Sequence, residues 1–223
     1  HWESMGAPTD LSLHCIVGDG HQGFYVGGQM GQIHHHDGKH WTLAFDLQLD
    51  ITITGFYSPS PDCIFAVGDE GLIVHWNGKQ WQRMSSGTKS ALYGIWGLDD
   101  EHVLAVGDFG LVLRWNGTEW REFNVGTESF LFGVWGDSLD NVYVVGLSGT
   151  IGHFDGKRWQ LTPARARDDL LDLCSFEGQL FAVGVNGLVL RRHNGQWLRE
   201  SCETDLPLRA VSVSQGRLFA VGD

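Results

Sequence analysis

The chain has 223 residues and a formal net charge of −12, with 42% hydrophobic and 19% charged residues. This is the composition of an ordinary globular protein with enough apolar surface for a core. The acidic balance argues against nucleic acid as a partner, and no apolar run approaches the roughly 18 residues that membrane insertion requires.

From the N-terminus onward the sequence repeats at a step of about 39 residues. The step is marked by six tryptophans: Trp2, Trp41, Trp81, Trp120, Trp159 and Trp197. Residues 1–10 predict a lone strand before the first unit. Complete units follow at 11–50, 51–90, 91–129, 130–169 and 170–207, and residues 208–223 begin another unit.

Each unit predicts four short β-strands. In the unit 91–129 the extended runs are LYGIWG, VLAVGD, LVLRWNG and WREFNV. A Gly-x-x-Gly turn follows the second run, and Asn-Gly or Asp-Gly follows the third. Asn-Gly between extended runs is a strong hairpin signal because both central residues of that turn need positive φ. No segment shows helical periodicity over a useful length.

A four-stranded antiparallel unit cannot bury both of its faces alone, whereas copies stacked around an axis bury them against one another. The sequence therefore predicts an all-β protein with the β-propeller fold. We expect six blades, with seven as the alternative. Residues 1–10 would supply the outer strand, and 208–223 the inner strands, of a blade shared by the two ends. Each repeated tryptophan is expected to open an outermost strand and to pack between blades.

The repeats resemble bacterial propeller repeats of the BNR/Asp-box kind, including the photosystem II assembly-factor-like proteins. They are still more similar to the tandem GVWG…VGxxG…W repeats of bacterial proteins. The resemblance covers essentially the whole chain. Where the Asp-box has Ser or Thr two residues before its Asp, this chain has His35, His75, Arg114 and His153. The WD-repeat pattern, which needs both a Gly-His and a Trp-Asp pair, is absent.

Candidate site residues are those that differ between otherwise similar units, because the repeated residues are explained by the fold. Loops and turns also carry most binding residues. Near the start of the innermost strands these positions are His14, Thr54, Tyr93, Phe132, Asp172 and Arg209. Between the glycines of the turns they are Met30, Glu70, Phe109, Ser148 and Asn186. We expect these two sets to form a channel mouth and a binding rim.

The run His34-His35-His36 invites a metal site, but alternate residues of a strand face opposite ways. Only His34 and His36 would share a face, and no spacing supplies a third ligand. His35 matches His75, Arg114, His153 and Arg191 in the other units. That column predicts a repeated hydrogen-bonding or packing position, and we expect neither a metal nor a cofactor.

The cysteines Cys15, Cys63, Cys174 and Cys202 show no CxxC spacing. Unpaired cysteines favour a reducing, cytoplasmic compartment, with a secreted or periplasmic location as the alternative. The chain begins at His1 rather than Met, which suggests part of a longer protein.

The sequence predicts a non-enzymatic scaffold that binds a protein or peptide, within a larger bacterial protein or complex. The first alternative is a carbohydrate-binding propeller, with Tyr93, Phe109 and Phe132 stacking on sugar rings. The second is a glycoside-hydrolase-like propeller with a degenerate site, which would need an arginine triad where only Arg209 is found. A lectin built from repeats should carry the same aromatic and polar set in each blade. The candidate residues differ in every unit, and this favours one asymmetric partner.

Overall fold

The computed structural model describes residues 5–163 and 167–223, and within these it is all-β. It divides into two compact units, His1–Ile95 and Trp96–Asp223. The boundary falls within one strand, β9, at Leu92–Gly97. No helix in the described part of the chain is long and apolar enough to cross a membrane.

The first unit contains two four-stranded antiparallel sheets whose strands follow chain order. One sheet comprises β1 (Leu13–Gly18), β2 (Phe24–Gly28), β3 (Gln32–His36) and β4 (Trp41–Asp46). The other comprises β5 (Ile53–Ser60), β6 (Cys63–Gly68), β7 (Ile73–Trp76) and β8 (Trp81–Met84).

The second unit repeats the same pattern. Its strands include β10 (Val103–Gly107), β11 (Val112–Trp115) and β12 (Trp120–Glu122), which continue the sheet begun by β9. The next sheet comprises β13 (Leu131–Ser138), β14 (Asn141–Gly146), β15 (Thr150–Phe154) and β16 (Trp159–Pro163). Another comprises β17 (Leu170–Phe176), β18 (Gln179–Gly184), β19 (Val189–His193) and β20 (Gln196–Glu200). The two remaining described strands, β21 (Leu208–Ser214) and β22 (Arg217–Gly222), pair with each other.

The predicted hairpins form, but only one of those before the tryptophans has the predicted geometry. Asn194 and Gly195 both have positive φ, at 48° and 79°. In the four other hairpins only the glycine has positive φ. Asp37 illustrates the reason: its carboxylate accepts hydrogen bonds from the N–H groups of Lys39 and His40, both at 2.8 Å. This Asx turn closes a longer loop without a left-handed aspartate.

Apolar side chains of neighbouring sheets form the core in each unit. In the first unit Ile33, Ile53 and Leu72 are fully buried. In the second unit three clusters join successive sheets, with Leu131, Leu170 and Leu208 at the starts of their first strands. Leucine or isoleucine at this position is buried in every described sheet except the first, where Leu13 is exposed, and burial of such a side chain stabilises by about 1.5–3 kcal/mol.

Three of the repeated tryptophans, Trp81, Trp159 and Trp197, pack on the preceding sheet as predicted. Trp41, Trp81, Trp120 and Trp159 are each the first residue of an outermost strand. The ring of Trp81 lies edge-on to Tyr25 of the preceding sheet, with ring centroids 5.8 Å apart. Trp197 lies edge-on to Tyr143 in the same way, at 6.3 Å. The aromatic column therefore holds adjacent sheets together and is not needed to explain binding.

At the N-terminal end, the structure describes the chain from residue 5 onward. Of the predicted lone strand at 1–10, residues 1–4 with Trp2 lie outside the described residues. Residues 5–12 contain no strand. The indole Nε1 of Trp41 donates to the backbone carbonyl of Met5 at 3.2 Å, which places Met5 beside β4.

Candidate binding surface

The second residue of the innermost strand is a β-bulge in five sheets. The pairing passes from Leu13↔Gly28 directly to Cys15↔Gly27, so His14 has no partner in the register. Thr54, Phe132 and Arg209 occupy the same bulge in β5, β13 and β21. A bulge leaves its extra residue out of the ladder and redirects the side chain.

Asp172 differs from the other predicted inner-strand residues. In β17 the register shift lies between Leu170 and Asp172, so Leu171 is the bulge residue. Asp172 pairs with Val183 as Gly133 pairs with Val145. Its Oδ1 accepts from Leu173 N, and its Oδ2 accepts from Val211 N at 2.8 Å. Desolvation by burial raises the pKa of Asp172 to about 6, although the two hydrogen bonds act to lower it.

Two more inner-strand side chains are engaged within the fold. The half-buried Thr54 hydroxyl lies 2.6 Å from the Leu92 carbonyl and 3.1 Å from the Val67 carbonyl. Arg209 is exposed and binds Asp223 bidentately, through Nε–Oδ1 at 2.6 Å and a second contact at 2.8 Å. This pairing occupies the arginine that a sialidase-like site would use. Of the rest, His14 is exposed, and Tyr93 and Phe132 are half-buried.

The turn residues are defined as the residues just before the second glycine of each Gly-x-x-Gly turn. They are Met30, Glu70, Phe109, Ser148 and Asn186. All five are exposed and have left-handed backbone, with φ between 52° and 62°. This conformation is uncommon for residues other than glycine and asparagine. The turn therefore holds each of these side chains in a fixed, solvent-facing position.

The glycine that follows each turn residue is required by packing as well as by φ. A Cβ added at Gly71 would lie 2.3 Å from the carbonyl oxygen of Thr88, in the linker to the next sheet. At Gly110 it would lie 2.0 Å from the carbonyl oxygen of Thr127. In these two sheets the turn therefore packs directly against the linker.

Neighbouring groups restrain the turn residues of the second unit. Asn186 Nδ2 donates to Asp168 Oδ1 at 2.9 Å. The backbone N–H of Ser148 donates to Asp169 Oδ1 at 2.8 Å. Phe109 lies edge-on to Phe130 with ring centroids 5.1 Å apart, and is 66% exposed. Phe109 is thus a large apolar side chain that remains exposed to solvent.

A cavity of about 620 Å³ lies beside one turn residue of the first unit. The turn contributes Glu70 and Gly71 to its lining, and β8 with the linker after it contributes the rest. These linker-side residues are Arg83, Met84, Ser85, Ser86, Gly87, Thr88 and Lys89. Comparison of turns and inner strands alone does not predict them, because most lie in a linker.

A second cavity, of about 430 Å³, lies in the second unit beside β17 and β18. Phe176 and Phe181 line it together with Glu177, Gln179, Arg191 and Glu200. Arg191 donates to Glu200 Oε1 at 2.5 Å and to Gln179 Oε1 at 3.1 Å. The cavity thus combines two phenyl rings with a connected polar network.

The histidine column is confirmed as a hydrogen-bonding and packing position. His35 Nε2 bonds Asp19 Oδ2 at 2.9 Å, and His153 Nε2 bonds Asn141 Oδ1 at 2.8 Å. The rings also stack on aromatic side chains of the neighbouring strand, at centroid distances of 4.2–4.4 Å for the pairs Tyr25–His35, Phe65–His75 and Tyr143–His153. Desolvation lowers the pKa of His153, which favours the neutral ring.

His34 and His36 are both buried and engaged within the fold. His34 Nε2 lies 3.2 Å from Gln32 Oε1, and His36 Nδ1 accepts from the N–H of Gly38 at 3.1 Å. No group of three or more His, Cys, Asp or Glu able to hold a metal occurs across residues 5–163 and 167–223.

The four cysteines are free thiols. Burial raises the pKa of Cys15 to about 12 and that of Cys174 to about 11. Because the thiolate is the reactive form, neither side chain is suited to nucleophilic chemistry.

No protein-family model and no curated protein matches the chain. Among solved structures, YCF48 from Cyanidioschyzon merolae superposes with a TM-score of 0.75 at 12% identity, over 99% of this chain and 82% of that one. The computationally designed protein Ika8 superposes with a TM-score of 0.74 at 14% identity, over 95% and 68%.

A further solved structure, YCF48 bound to D1 peptide, superposes with a TM-score of 0.54 at 14% identity, over 99% of this chain and 92% of that one. At such low identity these likenesses bear on the fold alone. Together with the antiparallel four-stranded sheets, they show that the chain has the β-propeller fold.

Proposed function

We propose that the chain is a non-catalytic platform that binds a protein or peptide through its turn residues and inner-strand positions. The observation that carries this proposal is the repeated left-handed turn residue. A backbone conformation that disfavours most side chains is kept in five units, and each unit presents a different side chain to solvent. A rigid frame with variable exposed side chains is what a recognition surface requires.

Phe109 is the anchor that we propose for the partner. Its ring is 66% exposed, and the contact with Phe130 fixes its orientation. Aromatic side chains held rigidly in water contribute large contact areas at low entropic cost, and they are enriched among the residues that dominate binding energy.

One of the structural neighbours is YCF48 bound to D1 peptide, so a propeller of this fold can hold a peptide. A peptide is therefore the class of ligand that we propose for this chain. Kinship with BNR/Asp-box repeats, a six-bladed ring, a bacterial complex as the setting and a cytoplasmic location remain proposals from the sequence.

Selection of peptides from a phage-displayed library on the immobilised protein tests the proposal. Affinities of the selected peptides would be measured by fluorescence polarisation for wild type, for Phe109→Ser, and for Tyr93→Ala combined with Phe132→Ala. We expect at least one of these variants to bind about tenfold more weakly, a loss of about 1.4 kcal/mol. The matched control is Leu161→Ser, since Leu161 is 44% exposed but lies on an outermost strand. Equal affinities for all variants would reject the proposed surface.

The cavity of Phe176 and Phe181 supports carbohydrate binding as a second candidate. Phenyl rings beside a polar network are suited to a sugar, which presents apolar C–H faces and hydroxyl groups. A glycan array with wild type and Phe181→Ala distinguishes the two candidates. Micromolar binding that Phe181→Ala abolishes would favour a lectin, whereas an array with no binding would leave the peptide platform as the better account.

A further inference from the structure

The cavity beside Glu70 lies where one repeat departs from its neighbour in sequence. Arg83 pairs with Val74 in the β7–β8 ladder, as Glu122 pairs with Leu113 in the β11–β12 ladder. The linkers that follow also correspond: Gly87 and Gly126 have φ of 77° and 82°. Positions in the two linkers can therefore be compared one by one.

The comparison shows two charge reversals. Arg83 stands where the next repeat has Glu122, and Lys89 stands where it has Glu128. Both cations are exposed, and neither has an ion pair among the residues that the structure describes. In a chain with a net charge of −12, two neighbouring cations without a protein partner are available for an anionic group.

The third difference lies in the linker between them, at Ser86. Val125 is 4% exposed and belongs to the core of its sheet pair, whereas the equivalent linker position holds Ser86. Serine is smaller than valine and places a hydroxyl in the cavity wall. The Ser86 hydroxyl lies 3.2 Å from the carbonyl oxygen of Thr88. Because an Oγ also has lone pairs and the linker is held by the close contact at Gly71, the wall is polar and rigid.

Glu70 contributes the opposite charge. It lines the same cavity as Arg83 and Lys89, and its backbone in the turn is left-handed. A single free anion would be repelled by Glu70, whereas a peptide could place a carboxylate near the cations and a backbone N–H near Glu70. The mixed lining is therefore more selective for a peptide than for a simple anion.

We propose that this cavity binds a carboxylate of an acidic peptide segment, with Arg83 and Lys89 as the cationic contacts and Glu70 as the acceptor for peptide N–H. This site rests on the proposed function and specifies where, and for which chemistry, the partner is recognised. A chain terminus and an acidic side chain both present such a carboxylate, and the probes below distinguish the two sources.

The test uses three fluorescein-labelled decapeptides in fluorescence polarisation: glutamate-rich with a free C-terminus, glutamate-rich with an amidated C-terminus, and glutamine-rich and amidated. We expect dissociation constants in the range of about 10–100 µM for at least one glutamate-rich probe and no saturation by the glutamine-rich probe. Binding should weaken as ionic strength rises from about 50 to about 300 mM. Preference for the free terminus would assign the site to a terminal carboxylate, and equal binding would assign it to side chains.

Variants locate the binding. Lys89→Glu and Arg83→Glu should each weaken the probe about tenfold or more, while Glu70→Gln should leave or increase its affinity for the charged group. The matched control is Lys79→Glu, which changes the net charge equally on the same sheet but lies in the hairpin before Trp81. Circular dichroism confirms that each variant is folded.

Two outcomes would overturn the inference. One is a dissociation constant above about 1 mM for every glutamate-rich probe. The other is an equal effect of Lys79→Glu and Lys89→Glu, which would indicate attraction by net charge alone. If phage-selected peptides still depend on Phe109 in either case, the proposed function stands and only this site is rejected. If neither set of variants changes binding, both are rejected.

Discussion

The carboxylate of Asp172 accepts a hydrogen bond at 2.8 Å from the backbone N–H of Val211, 39 residues later in the chain. This bond joins the first strands of two successive sheets. At the equivalent position of the preceding sheet, Gly133, an added Cβ would lie 3.1 Å from the Cα of Asp172. Side chains at this position thus point at the next sheet. Gly133 allows a close backbone contact there, whereas Asp172 forms a hydrogen bond.

This relationship predicts a pH-dependent stability. The pKa of Asp172 is about 6 in the folded chain and ordinarily 3.8, so the folded state holds the proton more tightly than the unfolded state. The free energy of unfolding should therefore fall as pH rises from about 4 to about 6, by up to about 3 kcal/mol. Asp172→Asn removes the titration and keeps an acceptor for Val211. Urea unfolding of both proteins across this range should show the difference between them changing with pH, and a constant difference would contradict the burial of this carboxylate.

Asp19 behaves in the opposite way. Although desolvation opposes it, hydrogen bonds from His35 and from the N–H groups of His21 and Gly23 hold the pKa of Asp19 below its ordinary value. Its contribution to stability is present above pH 3.8 and is lost as pH falls through the lowered folded pKa. Asp19→Ala should cost about 1–3 kcal/mol at pH 7, measured by urea unfolding. Asp19→Asn retains an acceptor and should cost less; an equal loss would show that charge, not acceptance, dominates.

Alanine substitution should lower the free energy of unfolding more at a turn glycine than at a linker glycine. Gly110 has φ of 71° and its added Cβ would meet the Thr127 carbonyl oxygen at 2.0 Å. Gly126 has φ of 82° with nothing within 4 Å of an added Cβ. Gly126→Ala should cost only the left-handed strain of about 1–2 kcal/mol. Gly110→Ala should cost about 1–3 kcal/mol more in thermal or urea unfolding, because the linker must also move. Similar losses would mean that the turn does not pack on the linker.

The hydroxyl of Thr54 is expected to hold the start of β5 to Leu92, the first residue of β9, within the first unit. Thr54→Val keeps the β-branched shape but removes the bond to the Leu92 carbonyl, and should lower the free energy of unfolding by about 0.5–1.5 kcal/mol. Thr54→Ser retains the hydroxyl and is the matched control for that bond. If the valine variant is as stable as wild type, the 2.6 Å contact contributes nothing net.

The repeat made most of the fold predictable. Tryptophan spacing, Gly-x-x-Gly turns and hairpin glycines mark strand ends because each has a local conformational cause. The bulge itself was not predictable, because it is visible only through the pairing of the first two strands of each sheet. Leu171, and not Asp172, occupies the position equivalent to Phe132, as the 39-residue step from Phe132 also requires.

The candidate sites were predictable in part. Exposure of the five turn residues follows from the glycines around them, but their left-handed backbone does not, because Met, Glu and Phe give no local signal for it. The cavity beside Glu70 is lined by the turn of Glu70 and Gly71 and by the linker after β8, which are separated in the sequence. Its signal in the sequence was the change from Glu122 and Glu128 to Arg83 and Lys89 at matching positions.

The left-handed turn residue has a further consequence, for how this scaffold can vary. Glycine or asparagine would adopt the same backbone at less cost, yet only Asn186 among the five is such a residue. Substitution by glycine or asparagine at the four other positions should therefore raise the free energy of unfolding. A library that varies only these residues would change what the surface presents while leaving every buried contact in place.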